Sequence, residues 1–182
     1  YTISLATQGL CNYLNKDINE NKSAVIAYDS RRFSKEFGYQ TAKIFSANNI
    51  KTFIFSELRP TPELSFAVRE LNCSCGIVIT ASHNPKEYNG YKVYWNDGGQ
   101  ITAPHDKNII SEVEKITDFK QINFNFNSDL IEEIDKKIDK KYIDKIQSLS
   151  VYDNSKSNLK IIFPSLHGTG ITQIPNALKA FG

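Results

Sequence analysis

A polar segment at residues 80–90, TASHNPKEYNG, brings together side chains that can do chemistry. This segment, called the serine loop below, contains the hydroxyl of Ser82, the imidazole of His83 and the amide of Asn84. The ammonium of Lys92 lies two residues after the loop. A hydroxyl next to an imidazole and a cation suits nucleophilic or phosphate chemistry, although a serine in a polar loop commonly has no such role.

Common templates for nucleophiles and phosphate binding are missing. The sequence contains neither a GxSxG elbow nor a GKS or GKT phosphate loop. The first predicted strand, Ala24–Tyr28, is followed by DSRR at residues 29–32 and not by GxGxxG. This absence argues against a dinucleotide-binding Rossmann domain. The CxC spacing at 73–75 also differs from the CxxC of redox and zinc sites and suits buried packing.

The segments around the serine loop alternate between two patterns of apolar residues, one typical of helices and one typical of buried strands. Apolar residues at helical spacing predict helices, and short apolar runs predict buried strands. The helices are expected over 3–14, 35–48 and 61–72, and the strands over 24–28, 52–55 and 76–79. This order predicts an α/β fold with a mainly parallel mixed sheet and flanking helices. The serine loop then begins at the carboxyl end of a strand, where open sheets bind ligands.

The pattern changes after the third strand. We expect a hairpin joining 91–95 to 100–102, a helix over 104–116, an irregular stretch over 117–129 and a helix over 130–149. In that last helix the isoleucines form a stripe on one face, and the opposite face mixes acidic and lysine side chains. Its acidic residues, at 132–135, are expected on a solvated face and do not resemble a metal site.

The chain is expected to contain one domain and part of another. Residues 153–158 form a polar linker, residues 160–163 predict a new strand, and the glycine-rich SLHGTG at 165–170 leads into a helix. We therefore expect a first domain over 1–150 and the start of a second α/β domain over 151–182. The sequence has no Met and opens with Tyr1, so we expect it to be part of a longer protein.

Composition narrows the classes of partner. Lys and Arg number 22 against 20 Asp and Glu, a net charge of +2, which favours neither nucleic-acid nor membrane-surface binding. No apolar run approaches the roughly 20 residues of a membrane-spanning helix. Three cysteines cannot all pair, and nothing indicates secretion, so a cytoplasmic location is expected.

The serine loop and the predicted strand after it resemble the phosphoserine loop of the α-D-phosphohexomutases, the phosphoglucomutase and phosphomannomutase superfamily. The resemblance rests on TASHNP at 80–85 and YNGYK at 88–92. Flanking segments agree with it: YDSRR at 28–32, RPTPEL at 59–64, DGGQI at 97–101 and LHGTG at 166–170. The resemblance covers nearly the whole chain except residues 117–155, and it is strongest to the branch that includes bacterial phosphoglucomutases and the related phosphopentomutases.

The resemblance implies an isomerase that interconverts hexose 1-phosphate and hexose 6-phosphate. It implies that Ser82 carries a phosphate, which passes to a sugar monophosphate to form a bisphosphate before the other phosphate returns to the serine. It further implies Mg²⁺, bound through the Ser82 phosphate and carboxylates outside this chain, and a bisphosphate activator such as glucose 1,6-bisphosphate. The remaining domains of a longer chain are then required partners, and this fragment alone is expected to be inactive.

The resemblance also gives roles to other residues, and each role has an alternative. Lys92 matches the lysine that faces substrate, as a general acid or base or only as a positive charge. His83 donates to phosphate or sugar oxygens, or it braces the loop. Arg31 contacts substrate, or it orders its own loop through Asp29 or a carbonyl. His167 lines the active site or stabilises its turn.

The sequence does not decide which sugar phosphate is the substrate, or whether the protein is an enzyme or a binding module. A phosphopentomutase or a phosphomannomutase of the same superfamily is the alternative enzyme, because the sugar-recognition residues would lie outside this chain. A phosphosugar-binding domain without catalysis is the alternative of another class. A covalent phosphate on Ser82 separates enzyme from binding module, since binding alone does not need one.

Overall fold

A five-stranded mixed sheet forms the centre of the molecule. The computed structural model describes residues 1–16, 22–151 and 159–182. The strands are β1 (Ser23–Tyr28), β2 (Lys51–Phe55), β3 (Cys75–Ile79), β4 (Tyr91–Trp95) and β5 (Ile131–Ile134). Their order in the sheet is β4-β3-β1-β2-β5. All neighbours pair in parallel except β4, which runs antiparallel to β3.

The described residues contain six α-helices, of which the first five flank the sheet. They are α1 (Thr2–Leu14), α2 (Ser34–Ala47), α3 (Thr61–Glu70), α4 (His105–Glu114), α5 (Lys136–Gln147) and α6 (Gly170–Phe181). Helices α1, α2 and α4 cover one face of the sheet, and α3 and α5 cover the other. Because side chains alternate along a strand, Ile26 of β1 enters the first core and Val25 the second. The run Ala24–Tyr28 of β1 is therefore apolar on both faces of the sheet.

The predicted α/β class and the mainly parallel sheet with flanking helices are confirmed. Each of the first three strands begins within one residue of its predicted start, because a strand covered on both faces is a continuous apolar run. The reversal after β4 is shorter than the predicted hairpin. Gly98 N–H donates to the Trp95 carbonyl at 2.9 Å, and a single bridge joins Tyr94 to Gln100.

Two predicted elements were wrong. Residues 131–134 form β5 and not the start of a helix, because they add a parallel edge strand beside β2. Residues 160–163 form no strand, since no strand in the described residues pairs with them, and Ile162 is 94% exposed. The expected domain boundary at 150/151 stays a prediction. The linker at 153–158 lies outside the described residues.

None of the helices in the described ranges combines the length and the apolar character that a helix needs to cross a bilayer.

Candidate functional site

The serine loop leaves the carboxyl end of β3 and returns into β4. Its two ends lie side by side, because Thr80 N–H donates to the Gly90 carbonyl at 3.1 Å. A Cβ atom at position 90 would lie 2.7 Å from the Thr80 carbonyl oxygen, so this close approach requires glycine. The loop therefore has a closed base, and residues 82–88 project from it into solvent.

Ser82 stands in an unusual backbone conformation at the start of the projecting segment. Its φ is +57°, a left-handed value that a residue with a Cβ rarely adopts. Ser82 N–H donates to Thr80 Oγ1 at 3.0 Å, and the hydroxyl lies 3.4 Å from His83 Nδ1. Both side chains are exposed. A strained and exposed hydroxyl beside an imidazole is typical of a functional position.

Arg31 holds the serine loop in place. Its guanidinium donates to four backbone carbonyls of the loop, those of Ser82 (2.7 Å), Asn84 (2.7 Å), Pro85 (2.7 Å) and Tyr88 (3.1 Å). Its Nε donates to Asp29 Oδ2 at 3.1 Å. All five N–H groups of the side chain are thus used within the protein. The geometry favours the ordering role of Arg31, and its contact with substrate stays an untested prediction.

A second set of hydrogen bonds joins the loop after β1 to the serine loop. Asp29 Oδ1 accepts from Arg31 N–H at 3.0 Å and from the Ser34 hydroxyl at 2.8 Å. The Asn89 amide donates to Ser34 Oγ at 2.8 Å and to the Arg32 carbonyl at 3.4 Å. The two loops therefore form one hydrogen-bonded unit at the carboxyl ends of β1 and β3.

A cleft of about 1040 Å³ opens beside this unit. This serine cleft is lined by both loops, by the start of α3 and by the turn before α6, with Ser82, Arg32, Phe33, Thr61 and His167 among its residues. Lys92 on β4 pairs with Val78, which lines the cleft, but Lys92 is not itself among the lining residues. The Lys92 ammonium forms no ion pair or hydrogen bond with any residue that the structure describes.

The turn at 165–170 closes one end of the serine cleft. The His167 carbonyl accepts a hydrogen bond from the Ser30 hydroxyl, while its exposed imidazole lies along the cleft wall. Next, in α6, Thr172 Oγ1 donates to the Leu58 carbonyl at 2.9 Å. These contacts hold α6 against the loop that precedes α3.

A buried ionic cluster lies below that contact. Arg59 is 3% exposed and donates from Nε and Nη2 to the two carboxylate oxygens of Asp139, at 2.8 and 2.9 Å, with Asp135 at 3.1 Å. Glu63 is fully buried, and its Oε1 accepts from the Gln173 amide of α6 at 3.2 Å. Burial, followed by Asp139 beside it, raises the pKa of Glu63 to about 9.

The structure brings together most of the residues that the sequence selected. Ser82, His83 and Arg31 form one unit, with Lys92 and His167 at its borders. Sequence reasoning selected Arg31 through the resemblance and passed over Arg32, which also lines the cleft. It also missed the role of Asp135, which was expected on a solvated face but binds Arg59 and Ser56.

The described residues do not by themselves build a metal site. No group of three or more His, Cys, Asp or Glu side chains in these ranges could hold a metal ion. Ser82, once phosphorylated, would supply one oxygen ligand, and the other ligands that Mg²⁺ requires would have to come from elsewhere. The chemistry available here is therefore that of an exposed hydroxyl, an imidazole and nearby cations.

Comparison with known proteins agrees with this arrangement. Residues 1–120 match the family model described as phosphoglucomutase/phosphomannomutase, alpha/beta/alpha domain I. A phosphoglucomutase of Staphylococcus haemolyticus is 40% identical over 98% of this chain, and one of Staphylococcus aureus is 39% identical over 99%. The chain spans 33% of each of these relatives.

A solved structure shows the same fold. The open form of the exocytosis-sensitive phosphoprotein parafusin, a phosphoglucomutase of Paramecium, matches 99% of this chain with a TM-score of 0.74. This chain is 22% identical to that protein and covers 37% of it.

Proposed function

Because the chain belongs to the phosphoglucomutase/phosphomannomutase family, we propose that it carries the phosphate-transferring serine of a phosphoglucomutase. The substrate is a hexose phosphate, and the reaction interconverts its 1-phosphate and 6-phosphate. One observation carries this proposal: Ser82 projects in a left-handed conformation from a loop whose backbone Arg31 holds at four points. A phosphate carrier needs such placement, since phosphoryl transfer depends mainly on positioning and electrostatic stabilisation.

The transfer proceeds in two balanced steps. In the first, the P–O bond to Ser82 Oγ breaks and a P–O bond to a free sugar hydroxyl forms, so that the sugar becomes a bisphosphate. The proton of the sugar hydroxyl leaves, and a proton returns to Ser82 Oγ. In the second step a P–O bond forms between Ser82 Oγ and the other phosphate of the bisphosphate, and the P–O bond from that phosphate to the sugar oxygen breaks. The Ser82 hydroxyl loses its proton, the sugar oxygen gains one, and the isomeric monophosphate is released. The serine is phosphorylated again at the end of the cycle.

Other residues take supporting roles in this proposal. Lys92, unpaired among the described residues and beside the serine cleft, exchanges the proton or neutralises phosphate charge. His83, with Nδ1 3.4 Å from Ser82 Oγ, donates to a phosphate oxygen. A Mg²⁺ ion would bind the Ser82 phosphate, and its other ligands would come from the rest of the longer protein. The residues that recognise the sugar would come from there as well. We place that protein in the cytoplasm, because all three cysteines are free and buried.

Phosphopeptide mapping and kinetics of the full-length protein test the carrier role. Native protein should carry phosphate on Ser82, and Ser82→Ala should lose both the phosphate and the interconversion of glucose 1-phosphate and glucose 6-phosphate. The matched control is Ser148→Ala, an exposed serine at the end of α5, which should keep both. Phosphate found only on another residue, or turnover retained in Ser82→Ala, would contradict the proposal.

Lys92→Met tests the lysine in the same assay. It should lower kcat about 10²- to 10⁴-fold, the usual contribution of a general acid or base, while the thermal unfolding midpoint changes little. If kcat stays within a few-fold of the parent, Lys92 is neither the acid–base group nor an essential charge.

A further inference from the structure

Two adjacent arginines border the serine cleft, and they differ in whether the protein itself uses their N–H donors. Arg31 uses all five of its N–H groups on Asp29 and the carbonyls of the serine loop. The exposed guanidinium of Arg32 forms no hydrogen bond or ion pair with any residue in the described ranges. Arg31 is therefore occupied by the protein, while Arg32 keeps all five donors available.

Arg32 does have one fixed contact, the aromatic ring of Phe33. Its guanidinium carbon lies 4.7 Å from the ring centroid, a distance at which a cation is attracted to the π face. The Phe33 ring also packs against the ring of Phe37, at 6.1 Å between their centroids. Stacking leaves the edge of the guanidinium, which carries the N–H groups, free to bind a ligand.

The backbone at Phe33 carries strain that the neighbouring contacts maintain. Its φ is +65°, a left-handed value at which a bulky side chain is an outlier. The conformation is held on both sides, because Ser34 is bound by Asp29 and the Arg32 carbonyl is bound by Asn89. As a result the Phe33 ring stays 49% exposed on the wall of the serine cleft. Strained residues of this kind occur where a site is built in advance of its ligand.

We propose that Arg32, held on the Phe33 ring, binds a phosphate group of the sugar phosphate in the serine cleft. This role rests on the proposed function and adds a substrate-binding residue to it. A guanidinium is suited to phosphate, because its planar N–H groups match two phosphate oxygens. Lys86 adds a second exposed cation to the cleft wall. Glu87 also lines the cleft, and its negative charge would repel a phosphate bound next to it.

Kinetics and phosphate binding in the full-length protein test this role. Arg32→Gln should raise KM for glucose 1-phosphate and the inhibition constant of inorganic phosphate about 10- to 100-fold, the usual effect of losing a charged hydrogen bond. Arg32→Lys should restore only part of the loss. The matched control is Lys43→Gln, which removes a cation stacked at 5.2 Å on Phe126 away from the cleft and should leave both constants unchanged.

A second variant separates binding from folding. Phe33→Gly removes the ring but suits the left-handed backbone, so it should raise the thermal unfolding midpoint or leave it unchanged. It should still raise KM, because Arg32 loses its platform. If KM and the inhibition constant in Arg32→Gln and Phe33→Gly stay within twofold of the parent, the proposal is wrong.

The proposed function and this inference fail in different ways. If the parent protein does not interconvert the two glucose phosphates, the proposed function fails. Phosphate binding by Ser82→Ala protein, measured by calorimetry, then still tests Arg32 because it needs no turnover. Equal phosphate affinity in Ser82→Ala and in Ser82→Ala with Arg32→Gln would overturn the inference.

Discussion

The hydrogen bonds of Arg31 place it to act on the chemistry through Ser82, the residue that it positions. Its four contacts with the carbonyls of the serine loop involve no side chain of the loop, so they set the path of the backbone. One of these carbonyls belongs to Ser82 itself, whose left-handed φ depends on such restraint. A misplacement of about 1 Å at a reacting atom can cost about 10²-fold in rate.

Arg31→Lys should therefore lower kcat of the full-length protein at least about 10-fold and change KM much less. A lysine has three donors at one nitrogen and cannot span four carbonyls. Backbone amides of residues 82–88 should also exchange hydrogen faster, which a residue that only contacts substrate would not cause. Arg69→Lys is the control, since Arg69 donates to the Asp97 carbonyl outside the cleft. Unchanged exchange in the serine loop would contradict the positioning role.

At the scale of elements, the sequence predicted the buried strands and the edge strand β4 well but missed the other edge strand, β5. The short apolar runs at β1 and β3 predict buried strands, because each run is apolar on both faces. In β5 only Ile131 and Ile134 are apolar, and their spacing of three, followed by a spacing of four to Ile138, imitates a helical stripe. These residues form a strand because they pair with β2, whose residues lie 79 positions earlier in the sequence. Local periodicity contains no information about that contact.

The junction of α3, α5 and α6 leads to a prediction about pH. Burial, followed by the neighbouring carboxylate of Asp139, raises the pKa of Glu63 to about 9, so Glu63 keeps its proton in the folded chain at neutral pH. The usual pKa is 4.5, so between the two values the unfolded chain loses a proton that the folded chain retains. The contribution of Glu63 to stability is therefore complete below pH 4.5 and is lost as pH rises towards 9.

Glu63→Gln should remove this pH dependence, because the amide imitates a protonated carboxyl. In the parent, Glu63 should lower the free energy of unfolding by up to about 1.4 kcal/mol per pH unit within that window. Urea unfolding of the 182-residue chain between pH 5 and 9 measures the difference, with Glu114→Gln as the exposed control. A slope in Glu63→Gln equal to that of the parent would show that Glu63 is ionised when folded.

At the scale of the whole molecule, the site was predicted in part. A motif of local residues sufficed to select Ser82, His83 and Lys92. The difference between Arg31 and Arg32 arises from contacts with carbonyls more than 50 residues away. The apolar segment 160–163 also read as a strand, yet Ile161 and Ile162 are exposed at 59% and 94%. A strand needs a neighbour, and local sequence does not say whether one is present.

The 182-residue chain as a unit should fold but should not interconvert sugar phosphates. Two buried cores on either side of the sheet support folding. The serine cleft holds Ser82 and Arg32, but the described residues contain no carboxylate cluster for a metal, and the chain spans a third of its relatives. Circular dichroism should show a cooperative transition. Incubation with glucose 1-phosphate, Mg²⁺ and glucose 1,6-bisphosphate should yield no glucose 6-phosphate, whereas the full-length protein should produce glucose 6-phosphate. Turnover by the chain above about 1 s⁻¹ would mean that the serine cleft of this chain suffices for catalysis.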